Sequence, residues 1–190
     1  MRSPWRSLSA KQKSMTSDKV TKFEYILTGG DLRSISKANE IVEMVHTQED
    51  FDELFPGLQN TDRKIVMRTA DAIEKITISK SGYLQKHKTE VLNLFQSAKE
   101  KELKWHMALI VSRVKLSKKE LGKTWDTLTK WATDKKESKI VRVNSIQSLS
   151  DLLQQDNELA QDFELTLFEI AKENIPSINA RIRKLKKANR

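Results

Sequence analysis

The sequence predicts an all-α protein, a right-handed α-α superhelix of about four helical hairpins. Three observations carry this reading. The 190 residues include only 5 Gly and 3 Pro, little material for a fold built on tight strand-to-strand turns. No stretch shows the alternation of apolar and polar residues that a half-buried strand requires. Apolar residues also recur at a fixed interval of about 37 to 38 residues, the mark of units that bury their faces against one another.

From Asp18 to the end the apolar spacing is helical. It divides into helices over 18–28, 31–46, 48–55, 62–80, 83–99, 101–115, 118–134, 138–155, 158–174 and 177–188. Capping chemistry supports the starts. Thr47 is followed three residues later by Asp50, and Ser117 by Glu120. A hydroxyl at the cap accepts from a free backbone N–H, and a Glu at the third position answers the cap's own N–H. Only Ser117–Glu120 has the preferred Glu for a full capping box. Asp18, Asp31, Asp62, Ser138 and Ser177 are further candidate caps. Stops fall at Gly29-Gly30, Pro56-Gly57, Gly82 and the Ile175-Pro176 step, where a glycine or a proline ends helical hydrogen bonding. Short links between these helices predict antiparallel neighbours.

The repeat is explicit in two sets of columns. In the first helices, Ile35, Ile73, Val111 and Leu149 are 38 apart, and so are Ala38, Ile76, Val114 and Leu152. The two columns lie three residues apart and share a helix face. In the second helices, Val91, Leu128 and Leu165 are 37 apart, as are Leu94, Trp131 and Phe168. The columns predict units at 31–57, 62–99, 101–134 and 138–174, with a closing helix at 177–188 in a domain spanning 18–190. One amphipathic hairpin cannot bury its apolar faces alone, so stacking is what makes such units stable.

Val141 to Leu152, with Arg142 followed by small residues and then an aliphatic pair, resembles the first helix of the HEAT-like repeat family. Thr69, Ala72, Ile73 and Ile76 fit its small and aliphatic columns, with Arg68 two residues off the basic one. Lys104 to Val114 fits more loosely. The resemblance covers roughly 31–174 and implies a HEAT-like solenoid. It says little about activity, since such folds host many functions.

The formal charge of +9 sits at the ends of the chain. Residues 1–17 carry Arg2, Arg6, Lys11 and Lys13 without an acid, and read as a mobile basic tail, an organelle presequence, or a segment ahead of a true start at Met15. Residues 181–190 carry Arg181, Arg183, Lys184, Lys186, Lys187 and Arg190, again without an acid. Between them stand 25 basic and 26 acidic residues, so the body has no net charge to attract a polyanion. Ile178, Ile182 and Leu185 share one face of the closing helix. Its charges therefore suit either a polar cap on the stack or a phosphate-binding patch for RNA, DNA or an anionic membrane. These six basic residues are the candidate anion or nucleic-acid contacts.

Catalytic chemistry is not indicated. The absence of cysteine removes disulfides, thiolate nucleophiles and thiolate metal ligands together. It accords with a cytoplasmic location. His46, His87 and His106 lack metal-ligand spacing and read as surface or boundary residues. Trp105, Trp125 and Trp131, with Asp126 and Arg113, invite comparison with HEAT-like DNA glycosylases. The likeness is one of architecture, and no residue carries over. Trp131 falls in an apolar column and reads as core. No apolar run approaches the ~20 residues of a membrane span. The expectation is a non-enzymatic, monomeric protein-interaction or scaffold module without cofactor. The alternative is a nucleic-acid-binding protein that uses the basic closing helix.

Overall fold

The computed structural model describes residues 22–28 and 35–188, and among them all regular structure is helical. The first seven α-helices are α1 (Lys22–Leu27), α2 (Ile35–Met44), α3 (Gln48–Leu54), α4 (Arg63–Ser79), α5 (Lys88–Ser97), α6 (Lys101–Val111) and α7 (Lys118–Thr133). They are followed by α8 (Lys139–Leu152), α9 (Ala160–Ala171) and α10 (Pro176–Ala188). Short 3-10 turns at Phe55–Gln59, Ser81–His87 and Asn157–Leu159 complete the list. Asp18, Asp31, Gly29-Gly30, the tail 1–17 and Arg190 lie outside the described residues.

The helix starts follow local chemistry. Ser117 Oγ accepts from Glu120 N, and Glu120 returns the bond to Ser117 N at 2.7 Å. Thr47 and Asp50 close the same reciprocal box, with Asp50 Oδ2 accepting from Thr47 N at 3.2 Å. The shorter aspartate therefore does what the sequence reading reserved for glutamate. Asp62 and Ser138 cap α4 and α8. Ser177 does not cap α10, which begins at Pro176, with Asn179 N bonding back to Ile175 O. Proline in the first turn forfeits only an N–H that would lack a helical partner.

Two predicted helices are shorter than their periodicity. The 83–99 helix is a 3-10 segment up to His87, because its side chains reach back to the preceding unit. Tyr83 Oη donates to His46 O at 2.8 Å, and His87 Nε2 lies 2.6 Å from Asp52 Oδ1. The α6 helix ends at Val111, and the backbone beyond it is captured from two sides. Gln85 accepts from Lys115 N at 3.2 Å and Gln155 from Leu116 N at 2.9 Å. At Gly57 a Cβ would run into the buried Thr69 hydroxyl, so glycine is what lets the Phe55–Gln59 turn lie against α4.

Packing is sequential. Helices α2, α4, α6, α8 and α10 form one layer, each against the next. The helices between them lie on its other side. There α5 packs on α6, α7 on α8, and α9 on α10. Each of these helices thus sits more closely on the first helix that follows it than on the one before. In the first-helix columns Ile73, Val111, Leu149, Ala38, Ile76, Val114 and Leu152 all lie in the core, while the Ile35 side chain lies outside what is described.

Hydrogen bonds between residues some 30 to 43 apart join each unit to the next. In the α2–α8 layer, Lys75 Nζ reaches Asn39 Oδ1 at 2.9 Å, and Ser148 Oγ reaches Ala108 O at 2.6 Å. His106, read from sequence as a surface or boundary residue, is buried, with its Nδ1 2.5 Å from Glu74 Oε2. Unpaired, it would lose the hydration of a polar ring, so the carboxylate is what permits its burial. On the other side, Asp52 receives Lys86, Gln48 and His87. Burial raises its pKa, but these bonds outweigh burial and hold it at about 2. The basic column also has a role. Lys104 pairs with Glu137 at 2.5 Å, and Arg142 with Glu173 through two bonds of 2.8 and 2.9 Å. In both cases a cation on a first helix binds a glutamate just beyond the second.

The second-helix columns break at the last step. Val91 and Leu128 are buried, but Leu165 is 59% exposed and Phe168 62%. The interval grows to 38 there, so Phe163 follows Trp125 and Ile170 follows Ala132 in the core. Rotating a helix by one residue turns its surface by about 100°, which is enough to exchange a buried stripe for an exposed one.

Candidate functional site

The predicted basic residues of α10 divide by environment. Ile178, Ile182 and Leu185 are buried against the stack, so α10 is part of the core rather than an appended tail. Arg181 is half-buried and donates to Gln147 Oε1 on α8. Lys186 pairs with Glu164 of α9 at 3.6 Å. Arg183, Lys184 and Lys187 are exposed on the side opposite the buried stripe. Arg183, Lys184 and Lys187 therefore face solvent together, Lys186 is exposed within its ion pair to α9, Arg181 is tied to α8, and Arg190 lies outside the described residues.

Among the described residues, Trp105, Trp125 and Trp131 do not make an open aromatic groove. Trp125 is buried between α7 and α9, its Nε1 donating to Asp162 Oδ2 at 2.6 Å and its ring edge-on to Phe163 at 6.4 Å. Trp131 is buried against Phe95, with the Lys104 ammonium 5.4 Å from its ring centre. Trp105 is half-buried, edge-on to His106. Asp126 is exposed and faces away from this packing. Trp125 and Trp131 thus leave no open ring face on which a base could stack.

A cavity of about 410 Å³ lies where α4, α6 and α8 end side by side. Thr77, Ile78 and Ser81 line it at the end of α4, Ser112, Arg113 and Lys115 just after α6, and Asp151, Gln154 and Gln155 at the end of α8. Arg113 donates to Glu74 O and, at 2.8 Å, to Thr77 Oγ1. Burial lowers its pKa, and Glu74 and Asp151 work in the other direction. Burial raises the pKa of Asp151, opposed by its bond from Gln147 and by the charges of Arg113 and Arg181. At the rim Ile78 is 71% exposed. Three helix C-termini place the negative ends of their dipoles here, which disfavours a phosphate. Donors and acceptors of both kinds instead suit the mixed polarity of a polypeptide backbone. Arg113 was singled out in sequence only as a neighbour of the tryptophans. The 38-residue interval from Lys75 to Arg113 to Asp151 is the signal that places the groove's charged pair on one face.

Among the described residues no group of three or more His, Asp or Glu could hold a metal ion, and no helix is long and apolar enough to cross a membrane. Compared with known proteins, the chain matches no family model, no curated protein and no solved structure.

Proposed function

We propose that the chain is a HEAT-like solenoid, wound as a right-handed superhelix, that acts as a monomeric, non-enzymatic protein-interaction module in the cytoplasm. The observation that carries this is the groove across the ends of α4, α6 and α8, with the exposed Ile78 beside Arg113 and Asp151. It spans successive units, and repeat proteins bind partners along surfaces of that kind. An extended peptide could lay an apolar side chain on Ile78 and exchange backbone hydrogen bonds with the polar floor. With a photo-crosslinking amino acid in place of Ile78, irradiation in cells is expected to give a discrete protein adduct that Lys115→Glu diminishes. An adduct that nuclease removes, or none at all, would defeat this reading.

The exposed Arg183, Lys184 and Lys187 favour a second reading, contact with a nucleic-acid backbone. Three phosphate contacts give a log–log salt slope of about −2 to −3. Fluorescence anisotropy with labelled DNA and RNA would show that slope in the native chain and its loss in the triple Glu variant at these positions. Affinity that ignores salt, or that survives the charge reversal, rules the second reading out. Charge reversal is the cleaner comparison, because deleting α10 would uncover the faces that Ile178, Ile182 and Leu185 bury.

A further inference from the structure

At the C-terminal end of the stack two features meet that neither the groove nor the repeat accounts for. Leu165 and Phe168 stand one turn apart on the outer side of α9, both largely exposed. No described residue of another helix buries them. Beside them runs α10, which contains no acid between Pro176 and Ala188. The Glu164–Lys186 pair joins the start of α9 to the end of α10, so the two helices run antiparallel. One turn further along α9, Phe168 is then level with Arg183 on α10. The Phe168 ring also carries the Lys172 ammonium 4.3 Å from its centre. An apolar pair is therefore bordered on one flank by exposed cations.

We propose that this end surface docks an acidic amphipathic helix of a partner protein, with its apolar stripe on Leu165 and Phe168 and its carboxylates toward Arg183 and Lys187. The proposal rests on the reading of the chain as a protein-interaction module. A helix fits because its apolar positions at i, i+3, i+4 and i+7 match a pair one turn apart, and because it can confine its acids to one flank. That asymmetry is required, since Glu164 and Glu169 border the same apolar pair and are themselves paired with Lys186 and Lys172. A phosphate backbone or an anionic lipid surface would press its charge onto these glutamates, and a phosphate backbone has nothing to place on Phe168. The chain's own residues 1–17 are basic and acid-free, the wrong charge for this surface.

The probe is a labelled helical peptide with leucines at i, i+3, i+4 and i+7 and glutamates along one flank, compared with the same peptide carrying lysines there. Anisotropy with the full chain is expected to show binding of the Glu peptide that weakens with salt. Affinity should fall at least about tenfold for the Lys peptide, for Phe168→Ala, and for the pair Arg183→Glu and Lys187→Glu. The melting temperature should be nearly unchanged, because all three side chains are exposed. The proposal is overturned if the Glu peptide does not bind, if both peptides bind alike, if Phe168→Ala has no effect, or if anionic vesicles or RNA displace the Glu peptide. The groove reading stands or falls separately, through the Ile78 adduct measured in the Phe168→Ala background.

Discussion

Arg142→Met is expected to destabilise the protein by about 3–5 kcal/mol, which is a fall in melting temperature of about 10 °C for a chain of this size. The Arg142 side chain is 2% exposed and spans three elements. Its Nε donates to Ala132 O at the end of α7 at 2.8 Å, and its two terminal nitrogens hold both oxygens of Glu173 beyond α9. Methionine fills much of the volume but leaves a carbonyl without its donor and a largely covered carboxylate without its cation. The pH dependence supplies a second readout. The bond from Arg142, with burial opposing it, holds the Glu173 pKa below its ordinary 4.5. A depressed carboxylate contributes stability above its unfolded pKa and loses it as pH falls through the folded value. The gap between native and Arg142→Met proteins should thus be full at neutral pH and narrow below about pH 4.5. Urea unfolding followed by far-UV circular dichroism across that range checks both statements. A gap that is small at pH 7, or constant down to acid, would mean that the pair does not tie α7, α8 and α9 together as described.

The second large effect is a contrast between two phenylalanines five positions apart. Phe163→Ala is expected to cost about 3–5 kcal/mol, because the ring is 2% exposed in the core beside Trp125. Phe168→Ala is expected to change stability by no more than about 0.5 kcal/mol, because that ring stands in solvent with only Lys172 over it. The 37-residue column instead places Phe168 in the interior, following Leu94 and Trp131. Equal losses from the two substitutions would return Phe168 to the core and remove the apolar pair on which the docking surface depends.

The helix caps and α9 show what is legible in a sequence and what is not. Candidate caps at Thr47, Asp62, Ser117 and Ser138 are correct because a cap and its target N–H lie within one turn of chain. The first-helix columns are correct because one 38-residue interval holds from unit to unit, so residues aligned by number are also aligned in space. The second-helix columns drift at α9, where the interval lengthens from 37 to 38 and Phe163 and Ile170 take the buried places. Periodicity alone does not decide between registers when a helix such as α9 has apolar residues on two faces.

The candidate sites follow the same division. Composition located the basic cluster at residues 181–190, but only tertiary packing sorted its members. Arg181 is drawn in by Gln147 on α8, Lys186 stays exposed but pairs with Glu164 on α9, and Arg183, Lys184 and Lys187 are left to solvent. The groove required more still, since Ile78, Arg113 and Asp151 are brought together by the stacking of three helix ends. The sequence alone therefore determined that this is a helical chain, where α3, α4, α7 and α8 begin, and that its first helices share one repeating buried face, because each of these depends on contacts within a turn or on a regular interval. Which apolar and charged side chains remain exposed was decided only in the folded chain, because exposure depends on what each neighbouring helix covers.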